Sequence, residues 1–121
     1  MSLKYILKDK IAYPCDDLME WAIFMASEDR VVKQTTVPDS DCLVSTVFIG
    51  LNHQFGSGLP LLFETIVFTI DADTERLTVD DRFDMVRYSF YSDAEEGHEN
   101  TVRKISALAA DCKRLVSKMT F

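Results

Sequence analysis

Val44-Ser-Thr-Val-Phe-Ile-Gly-Leu-Asn-His-Gln-Phe-Gly-Ser-Gly-Leu-Pro-Leu-Leu-Phe-Glu-Thr-Ile-Val-Phe68 decides how this chain folds. Two apolar runs, 43–49 and 61–69, flank a glycine-rich interval. Valine, isoleucine, threonine and phenylalanine dominate both, the composition of β-strands. In the first run Val44, Thr46 and Phe48 share one face, and Leu43, Ser45, Val47 and Ile49 the other. Both faces are largely apolar, which predicts a central strand covered by helices on at least one side. Antiparallel pairing with the second run would make Gly50–Pro60 an enlarged hairpin tip of about ten residues, longer than a tight reversal needs. Gly50, Gly56 and Gly58 permit the unusual backbone such a loop requires, and Pro60 closes it.

Upstream, Arg30–Val37 is β-branched and has no strongly apolar face, so it predicts a strand near the sheet edge. Pro38-Asp-Ser-Asp41 then reads as a turn. Before it, Asp17-Leu-Met-Glu20 fits a capping box and starts a helix. Leu18, Trp21, Ala22 and Met25, widened by Phe24, form its apolar stripe, and the helix is expected to end near 27–29. Residues 3–8 predict a short edge strand, ended at the latest by Pro14.

Downstream, 71–81 is polar and predicts a surface loop with a small strand at 76–79. A strand with mixed faces is expected over Phe83–Phe90. Ser92-Asp-Ala-Glu95 is a second capping box, opening a long helix to Ser117 or Lys118. Ala94, His98, Val102, Ile105, Leu108 or Ala109, Cys112 and Leu115 or Val116 form its repeat, which predicts Cys112 as a buried packing residue. Gly97 lowers helix propensity by about 1 kcal/mol and points to close packing of that turn.

The chain has 121 residues, enough for one domain with a real core, and no internal repeat or linker divides it. Its net charge of −7 is spread along the sequence: residues 1–60 hold five basic and eight acidic groups, residues 61–121 eight and twelve. Direct binding to a nucleic-acid backbone is disfavoured, because it needs neutralising lysines and arginines. Three cysteines, Cys15, Cys42 and Cys112, are widely spaced and odd in number, which fits a reduced cytoplasmic protein better than a disulfide scaffold. No signal-peptide pattern and no run of about 18 apolar residues is seen, so a soluble protein is expected, with no membrane association.

The polar groups nearest the apolar runs are the candidates for chemistry. Asn52, His53, Gln54 and Phe55 lie in the loop and are the candidate binding residues. Phe55 is either an exposed anchor for a partner or a plug over the core. Glu64 sits within an apolar strand, and a carboxylate there needs a donor such as His98, Arg87 or a backbone N–H. His53, Glu64 and His98 are weak catalytic candidates. If they converge they could serve as general acid and base, or as three zinc ligands. The loop lacks the lysine and the following helix of a phosphate loop, and no elbow motif surrounds Ser45 or Ser57. Tyr88, Phe90, Tyr91 and Trp21 could stack on a base, but aromatic residues of this spacing more often pack in a core or interface. A hydrogen-bond network that fixes the loop is the simplest reading of the polar set, and no cofactor or metal is expected.

The motif Val44–Gly56 followed by Pro60–Phe68 resembles a group of small, mostly uncharacterised phage- and prophage-encoded proteins. The likeness extends to Leu18 and Trp21, to Arg30, Val31 and Thr35, and to Arg87-Tyr88 and Glu95-Glu-Gly-His98. Asn52 stands where that group often has an aspartate before the loop histidine, which removes an aspartate-based metal or acid–base role at that position. The resemblance implies a phage or prophage origin and no particular activity.

The expected fold is α+β: an antiparallel or mixed sheet of about four or five strands with two helices packed on one face. Its expected function is that of a phage or prophage accessory protein in the cytoplasm of an infected or lysogenic host. It would act as a binding module for a host or phage protein and form a homodimer, with the second sheet face as one available interface. A small-molecule or nucleotide-processing enzyme with a His/Glu site, and a structural or assembly component, are the alternatives.

Overall fold

The described residues form seven strands and two α-helices: β1 (Tyr5–Lys8), β2 (Ile11–Pro14), α1 (Leu18–Met25), β3 (Val31–Thr36), β4 (Cys42–Phe48), β5 (Phe63–Ile70), β6 (Leu77–Val79), β7 (Val86–Tyr88) and α2 (Tyr91–Met119). The computed structural model describes residues 3–54 and 56–119. The two apolar runs pair antiparallel along their whole length, from Cys42 opposite Thr69 to Phe48 opposite Phe63. β3 adds antiparallel to β4 at the edge, with a register shift between Val31 and Lys33. The far side of β5 is shared: β7 pairs with Phe63–Thr65 and β6 with Phe68–Ile70. Between them the Asp80 amide donates to the Val67 carbonyl at 2.9 Å. This is an α+β fold with an antiparallel five-stranded sheet and a separate two-stranded hairpin.

Alternation along the central strands sends Val44, Thr46, Phe48, Phe63, Thr65 and Val67 to the face under α2, and all six are buried. The core has two parts. Tyr5, Phe48, Leu62, Phe63 and Ala94 form one, and Val37, Cys42, Val44, Val67 and Ile105 the other. Edge-to-face contacts from Phe24 to Phe48 to Phe63 to Tyr91, with centroids 5.3–5.8 Å apart, join α1, the sheet and α2 on this face. The opposite face carries Leu43, Ser45, Val47, Glu64, Ile66 and Phe68, and among the described residues no α-helix lines the shallow groove over it.

α1 begins as its sequence dictates: the Asp17 carboxylate accepts from the amides of Met19 and Glu20 at 2.9 and 3.0 Å. It is shorter than expected, closing at Ala26 before a 3₁₀ turn over Glu28–Arg30. Its inward face is Trp21, Phe24 and Met25, whereas Leu18 and Ala22 of the expected stripe are exposed. The helix lies against only one end of the sheet, so half its apolar residues find nothing to cover them.

The N-terminal hairpin was not anticipated. Asp9 and Lys10 both take positive φ, 51° and 67°, forming the two-residue turn that reverses β1 into β2. Asparagine–glycine or aspartate–glycine is the usual signal for that turn, and Asp-Lys hides it. The strand expected over Phe83–Phe90 contracts to Val86–Tyr88: Asp80 organises 80–83 as a turn before it, and the Phe90 carbonyl already accepts from Ala94 in the first turn of α2 after it.

α2 starts at Tyr91, so Ser92 lies inside the helix and does not cap it as the Ser92–Glu95 pattern suggested. At 29 residues it is about 43 Å long, against about 27 Å for the eight-residue β5. Its first half is anchored by Ala94, His98 and Ile105, while every residue from Asp111 to Met119 is exposed. Cys112 is therefore exposed, contrary to expectation. The apolar period continues past the point where the sheet stops, and period alone does not reveal that end. Gly97 meets its expectation: a Cβ there would lie 2.1 Å from the Tyr88 hydroxyl and 2.4 Å from its ring.

Candidate functional site

The three residues weighed for catalysis each have a different partner. His98 is fully buried beneath α2. Its Nδ1 meets the Thr46 hydroxyl and its Nε2 the Thr35 hydroxyl, both at 2.8 Å. Thr46 in turn meets Thr65 at 2.6 Å. One imidazole thus ties the helix to β3, β4 and β5 through a closed polar chain. Burial lowers the His98 pKa below its ordinary value; Glu99 opposes the shift and Lys33 adds to it.

Glu64 points to the other face of the sheet, since it precedes Thr65 in the strand. Its carboxylate accepts from Arg87 Nε at 3.0 Å across the β5–β7 pair. Arg87 was one of its three anticipated donors; His98 lies on the far side. His53 is half-buried in the loop, its Nδ1 2.9 Å from the Leu51 carbonyl. A catalytic trio of His53, Glu64 and His98 has no common point in this arrangement. Among the described residues no group of three or more His, Cys, Asp or Glu side chains is placed to hold a metal ion.

The two ends of the glycine-rich loop have different surroundings. Its first half is clipped to the N-terminal segment: the Tyr5 amide and the Trp21 indole donate to the Gly50 carbonyl at 2.9 and 3.1 Å, and the Asn52 amide to the Leu3 carbonyl at 2.9 Å. Gly50 has φ +68°, and a Cβ would come within 2.5 Å of the Met25 sulfur. Asn52 itself caps the Gln54 amide at 2.9 Å. Asn52, His53 and Gln54 are half-buried; Phe55 lies outside the described residues. Gly56 has φ +95°, a conformation that favours glycine. Gly58 packs against the Gln54 side chain, where a Cβ would fall 2.1 Å from Nε2.

The loop's second half opens onto a cleft of about 430 Å³. The β1–β2 hairpin, the Leu59–Leu62 segment and the start of α2 surround it. Its floor is the buried core surface of Tyr5, Leu62 and Phe63. Ile11, Leu59 and Phe90 stand at its mouth, 55%, 60% and 53% exposed. Lys10, lying 5.3 Å over the Tyr91 ring, and Glu95 contribute opposite charges to the lining. The sequence pointed to Pro60, Phe90 and Tyr91 separately. The β5–β7 pair and the Leu62–Tyr88 backbone bond bring them together, and the hairpin that its turn chemistry concealed supplies the remaining wall.

A second polar cluster escaped the sequence reading. Asp80 is 4% exposed and accepts from Arg82 Nε and Nη2 at 2.9 and 2.6 Å and from Thr69 at 3.0 Å. The Arg82 hydrogen bonds hold its carboxyl well below the usual range, outweighing the opposing effect of burial. The neighbouring Cys42 thiol is pushed up by burial and by Asp41 and Asp80. Every acceptor here is satisfied from within the chain, which marks a structural staple. Asp80 was hidden in an acidic, turn-like interval where nothing distinguished it from its exposed neighbours. No helix of the described residues is long and apolar enough to cross a membrane. No family model, no characterised protein and no solved structure matches this chain.

Proposed function

We propose that this chain is a non-catalytic binding module that takes an apolar side chain or short apolar segment of a partner protein into the cleft beneath Ile11, Leu59 and Phe90. One observation carries the reading: three exposed large apolar side chains ring an apolar floor, in a protein whose candidate catalytic groups are each occupied elsewhere. Exposed apolar residues gathered around a concavity mark recognition surfaces, whereas scattered ones do not. The phage resemblance makes a host or phage protein the partner class, in the cytoplasm of a bacterial host, and a homodimer remains part of the proposal. Acidity supports a protein partner over a nucleic acid.

The test is selection from a displayed peptide library against the wild-type protein, followed by titration of the winners. Peptides centred on aliphatic or aromatic residues are expected. Phe90→Asp and Leu59→Asp, both at exposed positions, should weaken binding about tenfold or more with an unchanged circular dichroism spectrum. Failure to enrich any peptide, or binding indifferent to both substitutions, would overturn the cleft as the recognition site.

A further inference from the structure

We infer that the distal half of α2, Leu108–Met119, is where two copies of this chain meet, helix against helix and antiparallel. The inference rests on the homodimer reading and is independent of the cleft. Ala94, His98, Thr101, Ile105, Leu108, Cys112, Leu115 and Met119 follow one another at spacings of four, three, four, three, four, three and four. That is the alternation of a coiled-coil seam. The sheet covers this seam as far as Ile105, which is 2% exposed. The same stripe then runs on uncovered, with Leu108 48%, Leu115 61% and Met119 73% exposed. Isolated helices of this length are marginal in water unless an apolar face is packed.

Charge and space select the occupant and its direction. Asp111 and Lys118 flank the seam on one side, seven residues apart. An antiparallel second copy that sets Leu108 against Met119, and Cys112 against Leu115, brings each Asp111 opposite the other copy's Lys118. The match occurs twice by symmetry, as a self-complementary interface requires. Asp111 now pairs with Arg114 on its own exposed helix face, a contact it can exchange. A parallel partner meets an obstacle, because the sheet covering the first half of the seam occupies the space its helix would need. In the antiparallel arrangement the two sheets lie at opposite ends. Lys113, off the seam, holds the helix to Asp39 of the β3–β4 turn at 3.4 Å, which leaves the stripe accessible. Four layers of single side chains make an interface below about 1,200 Å², so dissociation on the order of micromolar is expected.

Sedimentation equilibrium from about 1 to about 200 μM tests this on the full chain, with a rise from one to two copies expected over that range. Leu115→Lys should keep it monomeric with an unchanged circular dichroism spectrum. Lys118→Asp should weaken the dimer about tenfold, and the double variant Asp111→Lys/Lys118→Asp should restore it. In Leu115→Cys the new thiol faces Cys112 of the second copy, so mild oxidation should give a covalent dimer. Wild-type protein should give little. A monomer at every concentration would defeat both the dimer and this interface. A dimer that survives Leu115→Lys but dissociates in Phe68→Asp, on the uncovered sheet face, would keep the dimer and remove the interface from α2. Ready Cys112–Cys112 coupling in the wild type, with no rescue by the charge exchange, would overturn the antiparallel direction.

Discussion

His98 makes folding stability depend on pH in a calculable way. It is the buried link between α2 and three strands, and burial lowers its native pKa below the ordinary value of 6.5. The unfolded chain therefore binds a proton more readily than the native one as pH falls through that value. Stability contributed by the neutral imidazole is full above the unfolded pKa and is lost below it, until the native group also titrates. For a native pKa well below the range tested, the change between about pH 7.5 and about pH 5.5 reaches a ceiling of about 1.4 kcal/mol. The assay is urea unfolding of wild-type protein and of His98→Gln at both values. Glutamine retains polar atoms for Thr35 and Thr46 but does not titrate. It should cost about 1–3 kcal/mol at the higher pH, through imperfect hydrogen bonds to the threonines. The variant should also lose less stability than the wild type on acidification, by up to that ceiling. Equal losses in the two proteins would refute the reasoning, because His98 would then titrate alike in both states.

Other expectations follow from the same kind of geometry. Gly97→Ala should lower thermal stability despite alanine's better helix propensity, since the new Cβ meets the Tyr88 ring; about 1–3 kcal/mol of overpacking is expected, checked by thermal unfolding. Asp80→Asn should destabilise by about 1–3 kcal/mol through the loss of the charge-assisted bonds to Arg82 and of one of the two acceptor oxygens. Because the carboxyl of Asp80 is held low, its contribution is present above the unfolded carboxylate pKa and lost as pH falls through the native one, so the wild-type advantage over Asp80→Asn should persist at neutral pH and shrink in acid. In dilute native protein a thiol reagent should label Cys112 quickly and spare Cys15 and Cys42, which are buried; release of all three at the same rate would contradict the exposure of the distal helix.

The sheet was legible where chemistry was local and repetitive. β4 and β5 announced themselves by β-branched composition, the edge position of β3 by its lack of an apolar face, and the start of α1 by Asp17. The misses have a common cause. Asp9 and Lys10 adopt a turn their residue types do not advertise, and without that hairpin the cleft has no third wall. Cys112 and Leu18 continue real apolar periods beyond the edge of the layer that could cover them. Glu64 was read as a carboxylate needing a donor, with His98 and Arg87 among the candidates, and Arg87 is the one it meets. Strand alternation, however, sends Thr65 and Glu64 to opposite faces, so their partners differ. Register settles which of two neighbouring residues looks inward, and only the paired strands fix it.

The divided border of β5 has a consequence for self-polymerisation. Two short segments and the Asp80 amide occupy that border in turn, leaving no uninterrupted row of free peptide groups for an incoming chain to template on. At the opposite border, β3 is kinked by its register shift and carries the half-exposed Lys33, paired with Glu99 of α2, a charge on the edge strand that disfavours pairing. The protein can thus carry a strongly apolar β-hairpin at high concentration with little tendency to grow fibrils from its flanks.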